Sequence, residues 1–244
     1  MTRYLEDHDI SISHILLTHW HGDHTGGVAD ILVHDPSTKV YKHSSASNQN
    51  PIENGQIFRT QGATLRAVLT PGHTTDHTCF LLEEEDALFT GDNVLGHGYS
   101  VAEDLGAYTA SLRLMGGLGC RVGYPGHGAM IRDLPRKIAN YIAQRDIREK
   151  QVYESLLLDK TQQGLSMADI SLLLYGDLAR DTATFESALK PLLGQVLFML
   201  VEHGKAGTKL VGRSKTRYWF ARTQYHEPVD MYDRIDRPID CGSF

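Results

Sequence analysis

Thr18-His19-Trp20-His21-Gly22-Asp23-His24-Thr25-Gly26-Gly27 is the stretch that decides the fold, and an apolar, strand-like run at 14–18 leads into it. His19 and His21 are two residues apart, so an extended backbone points both side chains the same way. Asp23 and His24 follow where the chain turns into a helix, so this second pair can face a second ion. Imidazole and carboxylate groups are ligands that zinc accepts. The segment therefore predicts a metal site at the end of a strand.

Three further segments have the same character, because each places a candidate ligand beside glycine after a strand-like run. They are Pro71-Gly72-His73, Phe89-Thr90-Gly91-Asp92 and Pro125-Gly126-His127-Gly128. Each alone is typical of a glycine turn, but together they predict that several strand ends converge on one site. Glycines 22, 26 and 27 are expected to let the backbone pass close to the metals. Trp20 is expected to pack beneath the metal loop.

The ordered motifs THWHGDH, PGHTTDH, FTGD and YPGHG resemble the metallo-β-lactamase superfamily, in particular its glyoxalase-II-like and β-lactamase-like-2 branch. The resemblance is specific over residues 10–135 and looser to about residue 221. It implies an α/β fold in which two β-sheets are sandwiched between helices (αββα). It also implies two zinc ions per chain, one held by His19, His21 and His73 and the other by Asp23, His24 and His127. Asp92 would bridge both ions, and Asp23 and Asp92 would be the catalytic carboxylates.

Weaker candidates surround this set. His77 follows His73 by four residues and could orient a metal ligand through a hydrogen bond; a plain core histidine is the alternative. Asn93, His97 and Tyr99 follow Asp92 and are candidates for the pocket lining, with loop packing as the alternative.

Such a pair of ions predicts that the protein is a metal-dependent hydrolase. Two divalent ions that share a water molecule lower its pKa to about 7, so a nucleophilic hydroxide is available at neutral pH. The hydroxide could attack a thioester or a phosphodiester, and the centre alone does not choose between them.

Two longer segments, GDNVLGHGYSVAEDLGAYTASL and LGCRVGYPGHGAMIRDLPRKIANYI, look most like the fungal members of the family. These are thioesterases that release aromatic polyketides from the acyl carrier protein domain of a polyketide synthase, as in atrochrysone carboxylic acid formation. The resemblance implies hydrolysis of a polyketide acyl-carrier-protein thioester by a metal-bridging hydroxide in secondary metabolism. The alternatives are a single-strand endoribonuclease of the β-lactamase-like-2 type and a metal-binding remnant with little activity.

Charge offers a modest distinction between these substrates. A winged-helix domain that reads nucleic acid needs a basic recognition helix, but residues 184–204 are largely apolar with Lys190 as the one firm cation. The following hairpin carries five cations, which could meet phosphates or an acidic carrier protein: Lys205, Lys209, Arg213, Lys215 and Arg217. The balance favours the thioester, and nucleic acid is disfavoured as a partner.

The sequence pattern changes from strand-like runs to helical spacing near Pro135, a residue that suits the first turn of a helix. We expect a metallo-β-lactamase domain at 1–134, a helical, winged-helix-like α+β domain at 135–221 and a loose tail at 222–244. Ser166 and Asp169 have the spacing of a capping box, and a hairpin is predicted to turn at 212–214.

Composition sets the remaining limits. Of 244 residues, 24 are Lys or Arg and 30 are Asp or Glu, so the net charge of −6 gives no general attraction for nucleic acid. The three cysteines share no metal-ligand spacing and favour a reducing, cytoplasmic location. Neither a signal peptide nor a membrane span is expected, because the longest apolar run, 192–201, is short. Family members have further strands before the metal loop, so the first strands are expected to be missing or reduced here. A homodimer could then supply the missing cover.

Overall fold

The computed structural model describes residues 2–161, 163–212 and 215–222. The chain divides into two units, Met1–Gln144 and Arg145–Phe244. This division falls inside one helix, Leu134–Leu157. The domain limits derived from the sequence stay predictions. The expected tail from residue 223 onward, and residues 213 and 214 of the expected hairpin turn, lie outside the described residues.

The first unit mixes short helices with eight strands. Its helices are α1 (Thr2–Asp7), α2 (Gly22–Thr25), α3 (Val28–His34), α4 (Leu105–Gly116) and the start of α5 (Leu134–Leu157). Its strands are β1 (His14–Leu16), β2 (Lys39–Lys42), β3 (Asn50–Pro51), β4 (Ile57–Thr60), β5 (Ala63–Leu69), β6 (Thr78–Leu82), β7 (Ala87–Gly91) and β8 (Val122–Pro125). The strand predicted at 14–18 is thus confirmed, with its end two residues earlier.

These strands form two sheets. Strands β1, β2 and β3 are parallel neighbours in one sheet. The other sheet has the order β4-β5-β6-β7-β8, with antiparallel pairing except between β7 and β8. Because β1, β7 and β8 end at candidate ligand loops, and β5 ends just before another, the topology can gather these loops.

Apolar side chains on the two faces of the five-stranded sheet fill two separate cores. On one face, Cys79 and Leu88 pack with Tyr108 and Leu112 of α4 and with Tyr141 of α5. On the other face, the core lies between the two sheets and contains Ile52, Phe58, Ala67 and Phe80, with Leu16 and Tyr41 packed against it. Burying each such large side chain contributes roughly 1.5–3 kcal/mol, so these layers fix the strand ends that carry the site.

The inter-sheet layer is incompletely filled. A mostly apolar cavity of about 280 Å³ opens beside β1, with Leu16, Phe58, Leu65 and Phe80 among its lining residues. The homodimer that could replace the cover of the missing first strands stays a prediction from the sequence.

The second unit contains helices and a small sheet. After α5 come β9 (Leu165–Ser166), α6 (Met167–Tyr175), α7 (Thr182–Thr184), a π-helical turn (Phe185–Leu189), α8 (Lys190–Glu202), β10 (Ala206–Val211) and β11 (Thr216–Ala221). The strands pair antiparallel in the order β10-β11-β9. The predicted capping box is confirmed, since the Ser166 hydroxyl accepts from Asp169 N and the Asp169 carboxylate accepts from Ser166 N.

One described helical stretch, Thr182–Glu202, is long and apolar enough to cross a membrane by length and composition. It extends well beyond the apolar run at 192–201. Core helices pass the same test, and Leu193, Val196, Leu197 and Leu200 are at most 1% exposed within the protein. One face of the stretch is therefore packed within the second unit, and 33% of its apolar window is buried.

Candidate metal centre

The loop after β1 presents its histidines as the alternation predicts. Leu17 and His19 are buried, and Thr18 Oγ1 lies 3.0 Å from His19 Nδ1, so the opposite ring nitrogen faces the site. Helix α2 then begins at Gly22 and carries Asp23 and His24 in its single turn. The chain direction changes between the two pairs, which lets them face different partners.

A first group of donor atoms comes from three loops. His21 Nδ1 lies 3.0 Å from His19 Nε2 and 3.2 Å from His73 Nε2. His73 is oriented by its other nitrogen, because Nδ1 donates to the Val101 carbonyl at 2.9 Å. Together with Asp92, these side chains place one donor atom each within 4.8 Å of one another.

A second group lies beside it. His127 Nε2 is 3.0 Å from Asp23 Oδ2 and 3.2 Å from His24 Nε2. His24 Nε2 is 3.5 Å from the same carboxylate oxygen. Asp23, His24 and His127 therefore form a compact set whose carboxylate side is open to solvent.

Asp92 lies between the two groups. Its Oδ2 is 3.7 Å from His73 Nε2 and 3.4 Å from His127 Nε2, and its Oδ1 is 3.4 Å from His24 Nε2. Although Asp92 is only 7% exposed, its Oδ1 makes no hydrogen bond within the described part of the chain. A buried carboxylate oxygen without a partner is costly, so this atom is suited to a cation.

The spacing of the donors fits metal ions. Ligands bound tetrahedrally at about 2.0–2.1 Å lie roughly 3.3 Å apart, and the donor distances in both groups scatter around this value. Facing imidazole nitrogens without an intervening proton or ion would repel one another. The residues present thus fit a pair of divalent ions, with Asp92 shared between them.

Two glycines admit this crowding. Gly72 has a φ of 137°, and a Cβ there would overlap the backbone of Tyr108. A Cβ at Gly126 would lie 2.5 Å from Asp92 Oδ1 and 2.7 Å from His24 Cε1. By contrast, a Cβ at Gly22 or Gly27 would meet no described atom within 4 Å, and the expected closeness of these glycines to the metals stays a prediction.

The electrostatics keep the first group ready to bind a cation. Burial, followed by the neighbouring charges of His24, His73 and His21, lowers the pKa of His19 to about 3. The ring is therefore neutral at physiological pH, as a metal ligand must be. Desolvation acts to raise the pKa of Asp23, but hydrogen bonding and the nearby His24 and His127 hold it below its usual value.

The weaker sequence candidates have different surroundings. His77 is fully buried, and its Nε2 accepts the backbone N–H of Asp92 at 3.1 Å. Asn93 is buried too, but its amide donates to the Thr70 carbonyl at 2.7 Å, which holds the turn after β7. His97 is exposed beside Gly128, and Tyr99 is half exposed with its ring 4.9 Å from that of Tyr141.

The expectation about Trp20 is wrong. It does not pack beneath the metal loop: its side chain is 53% exposed and its ring lies 4.5 Å from that of His21. The alternation along the loop explains this, because His19 and His21 flank Trp20 and point toward the site, so Trp20 points outward.

A buried ion pair that no sequence pattern predicts lies behind the site. Lys42 Nζ donates to Asp76 Oδ2, and both residues are buried. Asp76 lies in the loop between His73 and His77 and also accepts from Thr74 Oγ1 at 2.7 Å. Because the partners are 34 residues apart, no local signal in the sequence could have revealed the pair.

The comparisons with known proteins agree with this geometry. Residues 41–127, which include three of the seven donors, match the family described as the metallo-beta-lactamase superfamily. The thioesterase pkgB of Emericella nidulans is 60% identical over 240 residues, covering 84% of this chain and 71% of that protein. The lactamase-like protein nscB of Trichophyton rubrum is 50% identical over 236 residues, covering 92% of this chain and 72% of that protein. A β-lactamase domain protein from Burkholderia ambifaria shares the fold, with a TM-score of 0.73 at 18% identity over 90% of this chain and 77% of its own.

The chain belongs to the metallo-β-lactamase superfamily and has its mixed α/β fold, as the resemblance implied. Within that superfamily it is an enzyme of the metal-dependent hydrolase class, related to a fungal thioesterase.

Proposed function

We propose that this chain is a thioesterase that hydrolyses the thioester between an aromatic polyketide and an acyl carrier protein in secondary metabolism. Its two zinc ions would be held by the first and second groups described above, with Asp92 shared. Bound in pairs, such ions make water nucleophilic at neutral pH and polarise the substrate carbonyl. Water adds to the carbonyl carbon, the C–S bond breaks, and the carrier thiol and a carboxylic acid leave.

The protein's own side chains orient these events. Asp92 Oδ1 lies near His24 of the second group, and its Oδ2 lies near both His73 of the first group and His127 of the second. The carboxylate therefore contacts both groups and would fix the spacing between the two halves of the centre. Asp23 is 57% exposed in its side chain and reaches His127 from the solvent side, where a substrate arrives. We assign Asp23 and Asp92 as the catalytic carboxylates on this basis.

The observation that carries the choice of substrate is the contrast between the polar centre and its apolar surroundings. Exposed hydrophobic side chains are adjacent in sequence to the donor loops: Trp20, Tyr99, Val101 and Met130. Lys and Arg are nearly missing from the same loops, since residues 18–27, 71–77, 91–104 and 125–133 contain Arg132 alone. An aromatic acyl group suits such a rim, whereas an RNA strand needs cations along its phosphates.

The basic hairpin gives little support to the RNA alternative. Lys205 donates to Glu149 at 2.7 Å, and the Arg217 guanidinium lies 5.5 Å from the centre of the Phe198 ring. Lys190 at the start of α8 donates to Glu186 at 2.7 Å. These cations are engaged within the second unit, which we assign as winged-helix-like from its helices and three-stranded sheet.

A direct comparison of substrates tests the proposal. The thioester of a naphthoyl-loaded carrier protein domain should be hydrolysed, and free thiol should be released at a rate proportional to the enzyme concentration. Single-stranded RNA should stay intact. Chelation should abolish the activity, and added Zn²⁺ should restore it. RNA cleavage without thioester turnover would favour the endoribonuclease alternative. Metal binding without turnover of either substrate would favour the remnant.

A further inference from the structure

His77 is a buried histidine that the two donor groups do not use. Its ring is fully buried, with its centre 5.3 Å from that of His19. Both ring nitrogens nevertheless have partners. Nε2 lies 3.1 Å from the backbone nitrogen of Asp92, and Nδ1 lies 3.0 Å from Thr70 Oγ1.

These partners determine which ring nitrogen carries the proton. A backbone N–H can only donate, so His77 Nε2 must be the acceptor, and the single proton of the neutral ring is on Nδ1. Nδ1–H then donates to Thr70 Oγ1, whose own proton is directed to Cys79 Sγ at 3.2 Å. The Cys79 thiol in turn donates to the Thr90 carbonyl at 3.5 Å. The donor and the acceptor of every hydrogen bond in this series are therefore fixed.

The chain of hydrogen bonds begins and ends on the turn that carries Asp92. Gly91 has a φ of 48°, and a Cβ there would lie 2.6 Å from His77 Nε2, so glycine allows the ring to come this close. Asn93 N closes the turn on the Thr90 carbonyl at 3.2 Å. Without the ring, the inward-facing N–H of Asp92 would be buried without a partner.

We propose that His77 is a positioning residue that fixes the shared ligand Asp92 through the main chain, with Thr70 selecting the required tautomer. This inference rests on the proposed function, in which Asp92 contacts both metal ions. His77 touches no carboxylate oxygen of Asp92. Its unprotonated nitrogen holds the Gly91–Asp92 peptide in the one orientation that directs the carboxylate between the two groups.

A pair of substitutions separates this role from simple packing. In His77→Gln, the side-chain oxygen reaches the place of ring Nε2 and can still accept from Asp92 N. In His77→Asn, the shorter amide reaches only the place of Nδ1, so it can donate to Thr70 but leaves the Asp92 N–H without a partner. We expect His77→Gln to keep two metal equivalents with nearly normal affinity, and His77→Asn to lose about 10–100-fold in affinity for metal.

Metal affinity is measured by competition with a chromophoric chelator, and the geometry by the visible spectrum of the Co²⁺-loaded protein. Neither depends on turnover, so a wild-type protein that binds two ions but hydrolyses no thioester refutes the proposed function without affecting this test. His43→Gln is the matched control, because His43 Nδ1 donates to the Ile52 carbonyl, away from both donor groups, and this variant should bind metal normally.

Thr70 provides an independent variant pair. Thr70→Ser keeps the hydroxyl that accepts from Nδ1–H and should match the wild-type Co²⁺ spectrum. Thr70→Val removes this acceptor and should weaken metal binding in the same direction as His77→Asn. Equal losses in His77→Gln and His77→Asn, or normal affinity in His77→Asn, would overturn the proposal.

Discussion

Lys42→Met is expected to destabilise the first unit strongly, because it removes one partner of a buried ion pair. Lys42 and Asp76 are 8% and 2% exposed, so the carboxylate left behind cannot be hydrated. The pair also connects β2 to the loop that carries His73, so its loss should loosen that loop.

The magnitude follows from burial. Removing one member of a buried pair typically costs about 3–5 kcal/mol, a large part of a total stability of roughly 5–15 kcal/mol. Arg66→Met is the matched control, since Arg66 pairs with Glu83 on the surface, with side chains 48% and 33% exposed. Such an exposed pair contributes about 0–1 kcal/mol.

Urea denaturation of the metal-free variants, followed by circular dichroism, measures these differences. Hydrogen exchange of peptides from residues 1–144 shows whether the loss lies in the first unit. Adding Asp76→Asn to Lys42→Met should recover a substantial part of the loss, because no buried charge is then left without a partner. A loss from Lys42→Met no larger than that from Arg66→Met would refute the reasoning, as would a double variant no more stable than the single one.

Acid titration checks the same pair. Burial acts to raise the pKa of Asp76, but hydrogen bonds from Lys42 and Thr74 and the Lys42 charge hold it below its usual value. The stabilisation is therefore complete above the pKa of the unfolded carboxyl group and is lost as the pH falls through the folded value. The difference between wild type and Lys42→Met should shrink as the pH is lowered below 3.8, the ordinary pKa of an aspartate side chain.

Three further outcomes are expected. Asp92→Asn should keep the fold but lose most activity and most of the stabilisation that metal binding gives. For wild type this stabilisation is about 2.7 kcal/mol at a metal concentration 100-fold above Kd. Urea denaturation measures it, and full stabilisation of the variant by metal would contradict the role of Asp92 as a shared ligand. Because the folded pKa of His19 is lowered from 6.5 to about 3, protons bind the unfolded state in preference, and the metal-free protein should lose stability as the pH falls below 6.5. Urea denaturation midpoints measured at several pH values test this, and midpoints that do not change with pH would contradict it. Trp20→Ala should raise KM for the naphthoyl thioester about three- to tenfold with little change in kcat, as expected for a lost aromatic contact; an unchanged KM would remove Trp20 from the substrate surface.

The donor groups could be predicted from the sequence because each is a local signal at a strand end. Alternation after β1 placed His19 and His21 on one side, and the glycine-flanked His73 and His127 marked two other loops. Alternation also directs Trp20 outward, so the expectation that it packs beneath the loop was inconsistent with the same pattern.

Other features depend on contacts between distant segments. The bond from Asp92 N to His77 and the pair of Lys42 with Asp76 join residues 15 and 34 positions apart. Such contacts are set by sheet order, which local patterns do not encode. The two-residue strands β3 and β9 are likewise too short to show any periodicity.

Gly126 limits how selection can alter this centre. Every single-base change that replaces a glycine codon with another amino acid adds a Cβ, and here that carbon would collide with both Asp92 and His24. Substitution of Gly126 is therefore expected to disturb the centre, whereas a Cβ at Gly22 or Gly27 would meet no such clash. Under the proposed function, laboratory evolution toward new acyl groups can vary Trp20, whereas a lineage that keeps this centre is expected to keep glycine at 126.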